Sequence, residues 1–271
     1  MGILNITPDS FADGGKYLDL KAAVKRAQQM MSEQVDIIDI GGESTRPGAK
    51  RITAEEEARR VIPILKEVLA LGATVSVDTT RAEIAEAAIT LGAHYINDVS
   101  GGLADANMAK VIADSGSKYV AMHWRGHSAT MMDYSQYSDV VSEVKQELTE
   151  RIDALMNAGI KQEQLIIDPG IGFSKLPVHN WEILRRLDEM KELKFPVLIG
   201  ASRKKFLGEH LAPEERETAS VSVTTFCTLQ EVWGVRTHSV APHKEAIARI
   251  DKLRAAHRGY NPNFRYTGQR I

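Results

Sequence analysis

Polar side chains end several short apolar runs along the chain, and their types suit a ligand with several N–H groups. Three of the runs end at Asp39, Asp78 and Asp168, and two others supply Asn5 and Asn97. Carboxylate and carboxamide oxygens accept hydrogen bonds from N–H donors. Carboxylates that share a pocket raise one another's pKa unless a cation or a ligand intervenes. We therefore expect a flat nitrogen heterocycle in a pocket that also contains basic groups.

Basic side chains near the ends of other runs could supply those cations and bind a polyanionic group. They are Arg46, Arg203, Lys204, Arg236 and His238. The stretch 41–48, GGESTRPG, is rich in glycine and hydroxyl groups, as loops that bind phosphate often are. A tight turn is the alternative interpretation of this stretch. Residues 168–173, DPGIGF, also favour a turn, and Phe173 could pack over a ring or into the core.

Several other kinds of chemistry are not indicated. The sequence contains no P-loop pattern and neither His-Glu-x-x-His nor Cys-x-x-Cys, so it lacks the usual motifs for a nucleotide phosphate or a built-in zinc site. The 34 basic and 36 acidic residues are interspersed, which gives no electrostatic footprint for nucleic acid or an anionic membrane. The single cysteine, Cys227, indicates a reducing compartment. We expect a cytoplasmic protein without nucleic-acid or membrane partners.

The elements that must position these residues follow from an alternation of apolar and amphipathic segments. Short apolar runs lie at 2–6, 37–40, 74–77, 95–96, 119–122, 165–167, 197–199 and 232–235. Helical patterns lie between them, at 20–34, 54–71, 81–91, 106–114, 139–158, 179–190, 218–230 and 241–256. Such an alternation indicates a parallel sheet that is buried on both faces. Eight strand–helix pairs predict an α/β fold, a single (β/α)8 barrel, with an open doubly wound sheet as the alternative.

Local signals support the helices and the placement of the polar residues. Thr53 and Glu56 have the spacing of a capping box. Capping of the next helix is an alternative role for a single strand-end residue such as Asp98 or Ser202, whereas eight polar ends in register favour a ring around one pocket. Glycine follows four predicted helices, where a left-handed residue commonly ends a helix: Gly72, Gly92, Gly116 and Gly159.

Together these motifs resemble the signatures of the dihydropteroate synthases, a family of pterin-binding enzymes. Segment 1–11 (MGILNITPDSF), with 13–15 (DGG), and segment 39–48 (DIGGESTRPG) resemble the first two signatures. Shorter matches follow in the family's order and spacing at 76–79, 96–98, 122–123, 168–173, 202–204 and 236–238. The resemblance spans nearly the whole chain and implies one pterin-binding TIM-barrel domain over residues 1–271.

The resemblance implies a transferase reaction in folate biosynthesis. The amine of p-aminobenzoate would displace pyrophosphate from 6-hydroxymethyl-7,8-dihydropterin pyrophosphate and give 7,8-dihydropteroate. Pyrophosphate leaves well once its charge is neutralised, and the pterin ring delocalises positive charge, so we expect an SN1-like displacement. The catalytic residues that the resemblance implies are Asp78, Asp168, Lys204, Arg236 and His238.

Each substrate would have its own residues, taken from the matching motifs. The pterin would be bound by Asp78, Asn97, Met122, Asp168 and Lys204. The pyrophosphate would be bound by Asn5, Thr45, Arg46, Arg236 and His238. The p-aminobenzoate would be framed by Phe11, Thr45, Pro47, Phe173, Ser202 and Lys204. Mg²⁺ is the implied cofactor, near Asn5 and Asp13, and a homodimer formed through the last helices is the implied assembly.

The sequence departs from the family at two places and leaves two alternative functions. Segment 236–239 reads RTHS, where the family more often has Val second and Asp or Asn fourth. Lys205 stands where several relatives have a small hydroxyl residue, so backbone N–H groups would meet the p-aminobenzoate carboxylate. A methyltetrahydrofolate-dependent corrinoid methyltransferase would share the barrel and pterin pocket but has no use for a pyrophosphate clamp. The other alternative is a pterin-binding barrel without turnover.

Overall fold

Eight short parallel strands form the centre of the computed structural model, which describes residues 1–6 and 16–258. They are β1 (Gly2–Asn5), β2 (Ile38–Gly41), β3 (Val75–Asp78), β4 (Tyr95–Asp98), β5 (Lys118–Met122), β6 (Leu165–Asp168), β7 (Leu198–Ile199) and β8 (Gly234–Val235). Their apolar residues are buried, because helices cover the outer face and the strands enclose the inner one. Each strand coincides with one apolar run of the sequence, with modest differences at the ends.

The eight strands close into a barrel. Strands β1 to β6 pair in sequence order, and β7 pairs with β8, all in parallel. The N–H of Ile167 donates to the Pro196 carbonyl over 2.9 Å and joins β6 to the chain before β7. The N–H of Ile3 donates to the Thr237 carbonyl over 2.9 Å and joins β1 to the chain after β8. The predicted (β/α)8 barrel is therefore confirmed, and the open sheet is excluded.

Nine α-helices within the described residues surround the strands. They are α1 (Lys16–Ser32), α2 (Ala54–Ala70), α3 (Ala82–Thr90), α4 (Met108–Ser115), α5 (Val140–Asn157), α6 (Pro177–Arg185), α7 (Leu187–Lys191), α8 (Glu217–Leu229) and α9 (Val240–Arg258). The buried residues of α5 show why these segments are helical, because Val141, Val144 and Leu148 recur on one face. No helix in the described ranges has the length and apolar content needed to span a membrane.

The predicted helix ends are confirmed, with one difference. The hydroxyl of Thr53 accepts from the Glu56 N–H over 3.3 Å, as a capping residue does. The Glu56 carboxylate, however, accepts from Arg60 Nε over 2.7 Å instead of completing the capping box. All four predicted helix-ending glycines have left-handed φ values: Gly72, Gly92, Gly116 and Gly159.

The single helix predicted over 179–190 is wrong, because the structure divides it between α6 and α7. The two helices meet at Arg186, whose φ of −110° and ψ of 35° are not helical. The guanidinium of Arg186 donates to Asp139 at the start of α5 over 3.0 Å and to Glu189 over 2.6 Å. These contacts, with the burial of Leu187, hold α7 against α5 and offset the free-energy cost of interrupting the helix.

Every second side chain along each strand points into the barrel, and the strand register sets the depth at which the polar side chains lie. Asp78 pairs in register with Asn97, and Asn97 pairs with Val120, so these side chains lie at one level. Met122 pairs with Asp168 two residues after Val120, nearer the C-terminal ends of β5 and β6. Beneath that pair lies a buried apolar cluster: Val120, Ile166 and Leu198. The C-terminal strand ends therefore surround one pocket.

Gly170 offers a test of how tightly the loop after β6 is packed. Its φ is +71°, and a Cβ there would lie 2.7 Å from the carbonyl oxygen of His123. Gly116 has a similar φ of +72°, but a Cβ there meets none of the described atoms within 4 Å. Alanine at either position carries left-handed strain of about 1–2 kcal/mol, and only Gly170→Ala adds a collision with backbone.

We therefore expect Gly170→Ala to lower the free energy of unfolding by about 1 kcal/mol or more beyond the loss in Gly116→Ala. Urea titrations of the two variants and the unmodified protein would measure the difference. Equal losses of unfolding free energy in the two variants would contradict the close approach of Gly170 to the backbone at His123.

Candidate active site

Arg236 joins two aspartates from different strands at the C-terminal end of the barrel. Its Nε donates to Asp39 Oδ2 over 2.6 Å, and its Nη2 donates to Asp78 Oδ2 over 2.7 Å. Asn97 Nδ2 donates to the same Asp39 oxygen over 3.1 Å. Both carboxylates are buried, so the guanidinium stabilises their negative charges in place of water. One cation, which directly follows β8, therefore ties β2 to the end of β3.

Asn5, at the end of β1, borders the same space as Asp78. The strand register places Gly41 between them, opposite Asn5 on one side and Asp78 on the other. A Cβ at Gly41 would lie 3.5 Å from the Asp78 Cβ and 3.7 Å from Asn5 Oδ1. Because Gly41 has no side chain, this space is left to the carboxamide and the carboxylate.

Asp168 and Lys204 meet Arg236 around Gly200, at the end of β7. A Cβ at Gly200 would lie 3.9 Å from Asp168 Oδ2, from Lys204 Nζ and from the Arg236 Cβ. The missing side chain of Gly200 therefore leaves room for these three groups to converge. Four predicted catalytic side chains border one pocket: Asp78, Asp168, Lys204 and Arg236.

Lys204 also fixes the edge of the pocket near the loop after β6. Its Nζ donates to the Ile171 carbonyl and lies 4.5 Å from the centroid of the Phe173 ring, an arrangement typical of a cation–π contact. Phe173 is half-buried. Met122 is 4% exposed and pairs in register with Asp168 on the neighbouring strand. The charged groups therefore have an apolar surface beside them.

Burial and neighbouring charges shift the pKa values of these groups toward neutrality. Burial raises the pKa of Asp78 to about 7, with Arg236 opposing the rise and Asp39 adding to it. Burial also raises the pKa of Asp168, against the attraction of Lys204. Burial lowers the pKa of Lys204 to about 8, despite the nearby Asp168. A charged ligand can therefore change the protonation of this pocket near neutral pH.

His238 and Ser202 form the basic end of the pocket. His238 Nδ1 lies 3.1 Å from Ser202 Oγ, and the His238 N–H donates to the same hydroxyl over 3.2 Å. Burial, together with the charges of Arg236, Arg203 and Arg46, lowers the pKa of His238 to about 3. The imidazole is therefore neutral until an anion offsets these cations.

The loop between β2 and α2 carries three other predicted site residues. Thr45 is half-buried, whereas Arg46 and Pro47 are exposed. Arg46 lies near enough to His238 for its charge to lower the pKa of that imidazole. Among the described residues, no hydrogen bond joins the Thr45 side chain to the rest of the pocket. The structure thus brings Arg46 to the basic end and leaves Thr45 and Pro47 beside it without a direct bond.

Two predicted site residues, Phe11 and Asp13, lie outside the described residues. Their roles at p-aminobenzoate and at Mg²⁺ stay predictions. The described ranges contain no group of three or more His, Cys, Asp or Glu side chains placed to hold a metal ion. Asn5 is the predicted metal ligand that lies within the described residues.

Two polar residues that the sequence assigned to the ring have other partners. Asp98 accepts from the Tyr119 hydroxyl over 2.7 Å and from three donors in residues 100–102. These residues form a turn after β4, and α4 begins after Asn107, so Asp98 does not cap the next helix. Arg203 Nε donates to Glu217 at the start of α8 over 2.9 Å. The Arg203 guanidinium is therefore engaged by α8, although its charge still helps to lower the pKa of His238, and its part in binding a polyanionic group stays a prediction.

A buried chain of polar groups below the loop after β6 was missed by the sequence interpretation. Lys175 Nζ lies 3.0 Å from His123 Nδ1 and 3.1 Å from the Phe173 carbonyl oxygen. His123 Nε2 lies 2.9 Å from Glu147 Oε2. Burial lowers the pKa of Lys175 to about 7 and that of His123 to about 4. Lys175 lies two residues after the turn motif 168–173, and this position could have indicated a role for it. Glu147 in α5 lies near no motif that could have indicated one.

Comparison with known proteins identifies the family of this chain. The model of the pterin-binding enzymes matches residues 1–238, which include every predicted site residue. The dihydropteroate synthase of Mycobacterium leprae is 45% identical over 256 residues, which cover 91% of this chain and 90% of that protein. The match therefore extends over nearly the full length of both proteins.

Solved structures agree with the barrel described above. The Xanthomonas albilineans dihydropteroate synthase with 4-aminobenzoic acid has a TM-score of 0.89 at 40% identity, covering 94% of this chain and 92% of that one. The enzyme from the same organism in complex with 7,8-dihydropteroate has a TM-score of 0.85 at 36% identity, covering 94% and 93%. The chain belongs to the pterin-binding enzyme family, among the dihydropteroate synthases.

Proposed function

We propose that this chain condenses 6-hydroxymethyl-7,8-dihydropterin pyrophosphate with p-aminobenzoate to give 7,8-dihydropteroate and pyrophosphate in folate biosynthesis. One observation carries the proposal: carboxylates at the ends of β3 and β6 share a pocket with cations that follow β7 and β8. An acidic region suits the N–H groups of a pterin, and a basic region suits a diphosphate. The ligands of the two Xanthomonas albilineans structures support the same reaction.

The pterin would lie against the acidic side of the pocket. Asp78 and Asp168 would accept hydrogen bonds from its N–H groups, and Lys204 would donate to a ring acceptor. Asn97 Nδ2 is engaged by Asp39, which leaves the Asn97 carboxamide oxygen as an additional acceptor. The predicted contact of Met122 would be with the face of the ring.

The leaving group would lie at the basic end, among Asn5, Thr45, Arg46, Arg236 and His238. The Arg236 charge is already shared with Asp39 and Asp78. His238 is therefore the group whose protonation an anion would change most. A diphosphate would offset the surrounding cations and favour protonation of the imidazole. The protonated His238 would then neutralise charge that develops as pyrophosphate departs.

Mg²⁺ is the proposed cofactor and would bind with the diphosphate. The ion prefers oxygen ligands, and it is commonly held by one or two protein groups, substrate phosphates and water. Asn5 fits this requirement, because its Oδ1 borders the open space above Gly41. Asp13 is the second proposed ligand. When bound, the ion would neutralise charge on the departing pyrophosphate.

The p-aminobenzoate would enter between the two ends of the pocket. Phe173 and the stem of Lys204, which already lie together, would frame its ring, with Ser202 beside them. Its carboxylate would meet backbone N–H groups near Lys205, at the start of a short 3₁₀ turn. The remaining proposed contacts come from the first two loops: Phe11, Thr45 and Pro47.

The proposed displacement begins with loss of the leaving group. The bond between the exocyclic methylene carbon and the pyrophosphate oxygen breaks, and its electron pair leaves with the pyrophosphate. The buried carboxylates of Asp78 and Asp168 stabilise the resulting pterin cation. The amine lone pair of p-aminobenzoate then forms the C–N bond, and the ammonium proton passes to water. An aniline is already nucleophilic, so no strong general base is required.

Three further features belong to the proposal. One domain over residues 1–271 would carry the activity, and the compartment would be the cytoplasm. The chain would form a homodimer through α8 and α9, where Leu229 is 50% exposed and Leu253 is 61% exposed. The corrinoid methyltransferase is disfavoured, because it has no use for the cations gathered at the basic end. The barrel without turnover is disfavoured, because the signatures of the family are nearly complete in this sequence.

One incubation separates the three functions. The protein is mixed with the pterin pyrophosphate, p-aminobenzoate and Mg²⁺, and both dihydropteroate and released pyrophosphate are quantified. We expect equal amounts of the two products and their loss on chelation of the metal. Methyl transfer from methyltetrahydrofolate to a corrinoid, or pterin binding without either product, would contradict the proposal.

Asp78→Asn tests the carboxylate that would stabilise the pterin cation. We expect kcat to fall by about 10²-fold or more, because the substitution removes the negative charge and retains the shape. In the unmodified protein, kcat/KM for the pterin substrate should fall as the pH drops below about 7, since Asp78 becomes protonated. The exposed Asp188→Asn on α7 is the matched control and should keep kcat within about twofold. A loss below threefold in Asp78→Asn would contradict this role.

Proton uptake on binding of pyrophosphate tests the role of His238. The pKa of this imidazole is about 3 without a ligand, and a nearby anion should raise it. Calorimetry at mildly acidic pH, in buffers that differ in ionisation enthalpy, should show more proton uptake by the unmodified protein than by His238→Gln. Equal uptake by the two proteins would mean that His238 does not meet the diphosphate.

A further inference from the structure

Arg203 has an unusual backbone conformation between two residues of the pocket. Its φ is +58°, in the left-handed region that disfavours residues with a Cβ. The Lys204 N–H donates to the Ala201 carbonyl over 3.2 Å and closes a turn in which Arg203 is the third residue. A positive φ at that place is characteristic of a type II turn, where glycine is the common residue. Something in the fold must therefore hold this arginine in place.

The turn directs its two neighbours to different parts of the proposed site. Ser202, just before it, contacts the backbone and imidazole of His238. Lys204, just after it, lies beside Asp168 and over the Phe173 ring. A change in the backbone at Arg203 would therefore move the hydroxyl at the basic end and the ammonium at the acidic side together.

The polar groups of Arg203 are bound on several sides. Its Nε donates to Glu217 Oε2 over 2.9 Å, and its Nη2 donates to Ser239 Oγ over 2.8 Å. Its backbone N–H donates to Ser220 Oγ over 2.9 Å, and its carbonyl accepts from Arg216 Nη1 over 3.0 Å. These contacts come from α8, from the residue before α8 and from the residue before α9.

Glu217 is itself fixed by a buried histidine. Glu217 Oε1 lies 3.1 Å from His243 Nε2, and His243 Nδ1 lies 2.7 Å from Thr224 Oγ1. A carboxylate only accepts, so Nε2 carries the proton and the Thr224 hydroxyl donates to Nδ1. His243 is 2% exposed and lies in the first turn of α9. The order of contacts is Arg203, Glu217, His243 and Thr224.

We propose that Arg203 is a positioning residue, held by Glu217 and His243, whose left-handed turn aims Ser202 and Lys204 into the active site. Arg203 touches no substrate in this account. The inference deepens the proposed function and rests on it, because Ser202 and Lys204 are proposed to bind p-aminobenzoate and the pterin. Its loss would weaken binding and turnover because Ser202 and Lys204 would move, not because a group in contact with substrate is removed.

Two glutamates near Arg203 provide a matched comparison. Glu217 lies 2.9 Å from Arg203 and its side chain is 24% exposed, whereas Glu214 lies 3.8 Å from it and is 73% exposed. An exposed, distant pair contributes little. We expect Glu217→Gln to lower kcat/KM about tenfold or more, with a rise in KM for p-aminobenzoate, and Glu214→Gln to stay within twofold. Values within twofold for both variants would overturn the proposal.

A second pair of variants distinguishes backbone geometry from charge. Arg203→Gly favours the left-handed turn, and Arg203→Val opposes it, while both remove the guanidinium. We expect the glycine variant to keep at least about tenfold more activity than the valine variant. Equal losses, with both proteins folded by circular dichroism, would indicate a direct cation role and overturn the proposal.

A structural measurement keeps this inference separate from the proposed reaction. Crystal structures of Glu217→Gln and Glu214→Gln need no substrate. We expect Ser202 Oγ to leave hydrogen-bond distance of the His238 N–H in Glu217→Gln and to remain there in Glu214→Gln. An unchanged turn in Glu217→Gln would refute the positioning role, even if the unmodified protein failed to make dihydropteroate.

Discussion

The pocket depends on the sharing of one guanidinium between two buried carboxylates. Asp39 and Asp78 have lost most of their contact with water, and an unpaired buried charge costs on the order of several kcal/mol. Arg236 offsets this cost for both, with hydrogen bonds of 2.6 and 2.7 Å. The arginine stands 197 residues after Asp39, so only closure of the barrel brings the two together. The charge balance of the site therefore depends on closure of the barrel.

This constraint divides the pocket into an acidic side and a basic end. Burial raises the pKa of Asp78 to about 7 against the opposing charge of Arg236, and burial with the surrounding cations lowers that of His238 to about 3 without a ligand. A ligand with N–H donors at one end and a diphosphate at the other would favour the ionised aspartate and the protonated histidine. A dihydropterin pyrophosphate has this distribution of groups, which is why the arrangement suits the proposed displacement.

Much of the fold and the convergence of the site could be predicted from the sequence, since both follow from short-range patterns. Apolar runs placed all eight strands, and the polar residues that end them placed Asp78 and Asp168 on one rim. The division between α6 and α7 could not be predicted, because it depends on a contact between Arg186 and Asp139, the residue that precedes α5. The direction of Arg203 depends in the same way on α8. Such side-chain partners are set by packing between distant segments, which carries no local signal.

The most direct test of the central constraint is the pKa of Asp78, measured by ¹³C NMR titration of its carboxyl group. The measurement compares the unmodified protein with Arg236→Met, which keeps an apolar stem and removes the shared charge. The account predicts a pKa of about 7 in the unmodified protein and a clearly higher one in the variant, because burial would then act without opposition. An unchanged or lower pKa in Arg236→Met would contradict the claim that this guanidinium holds the pocket together.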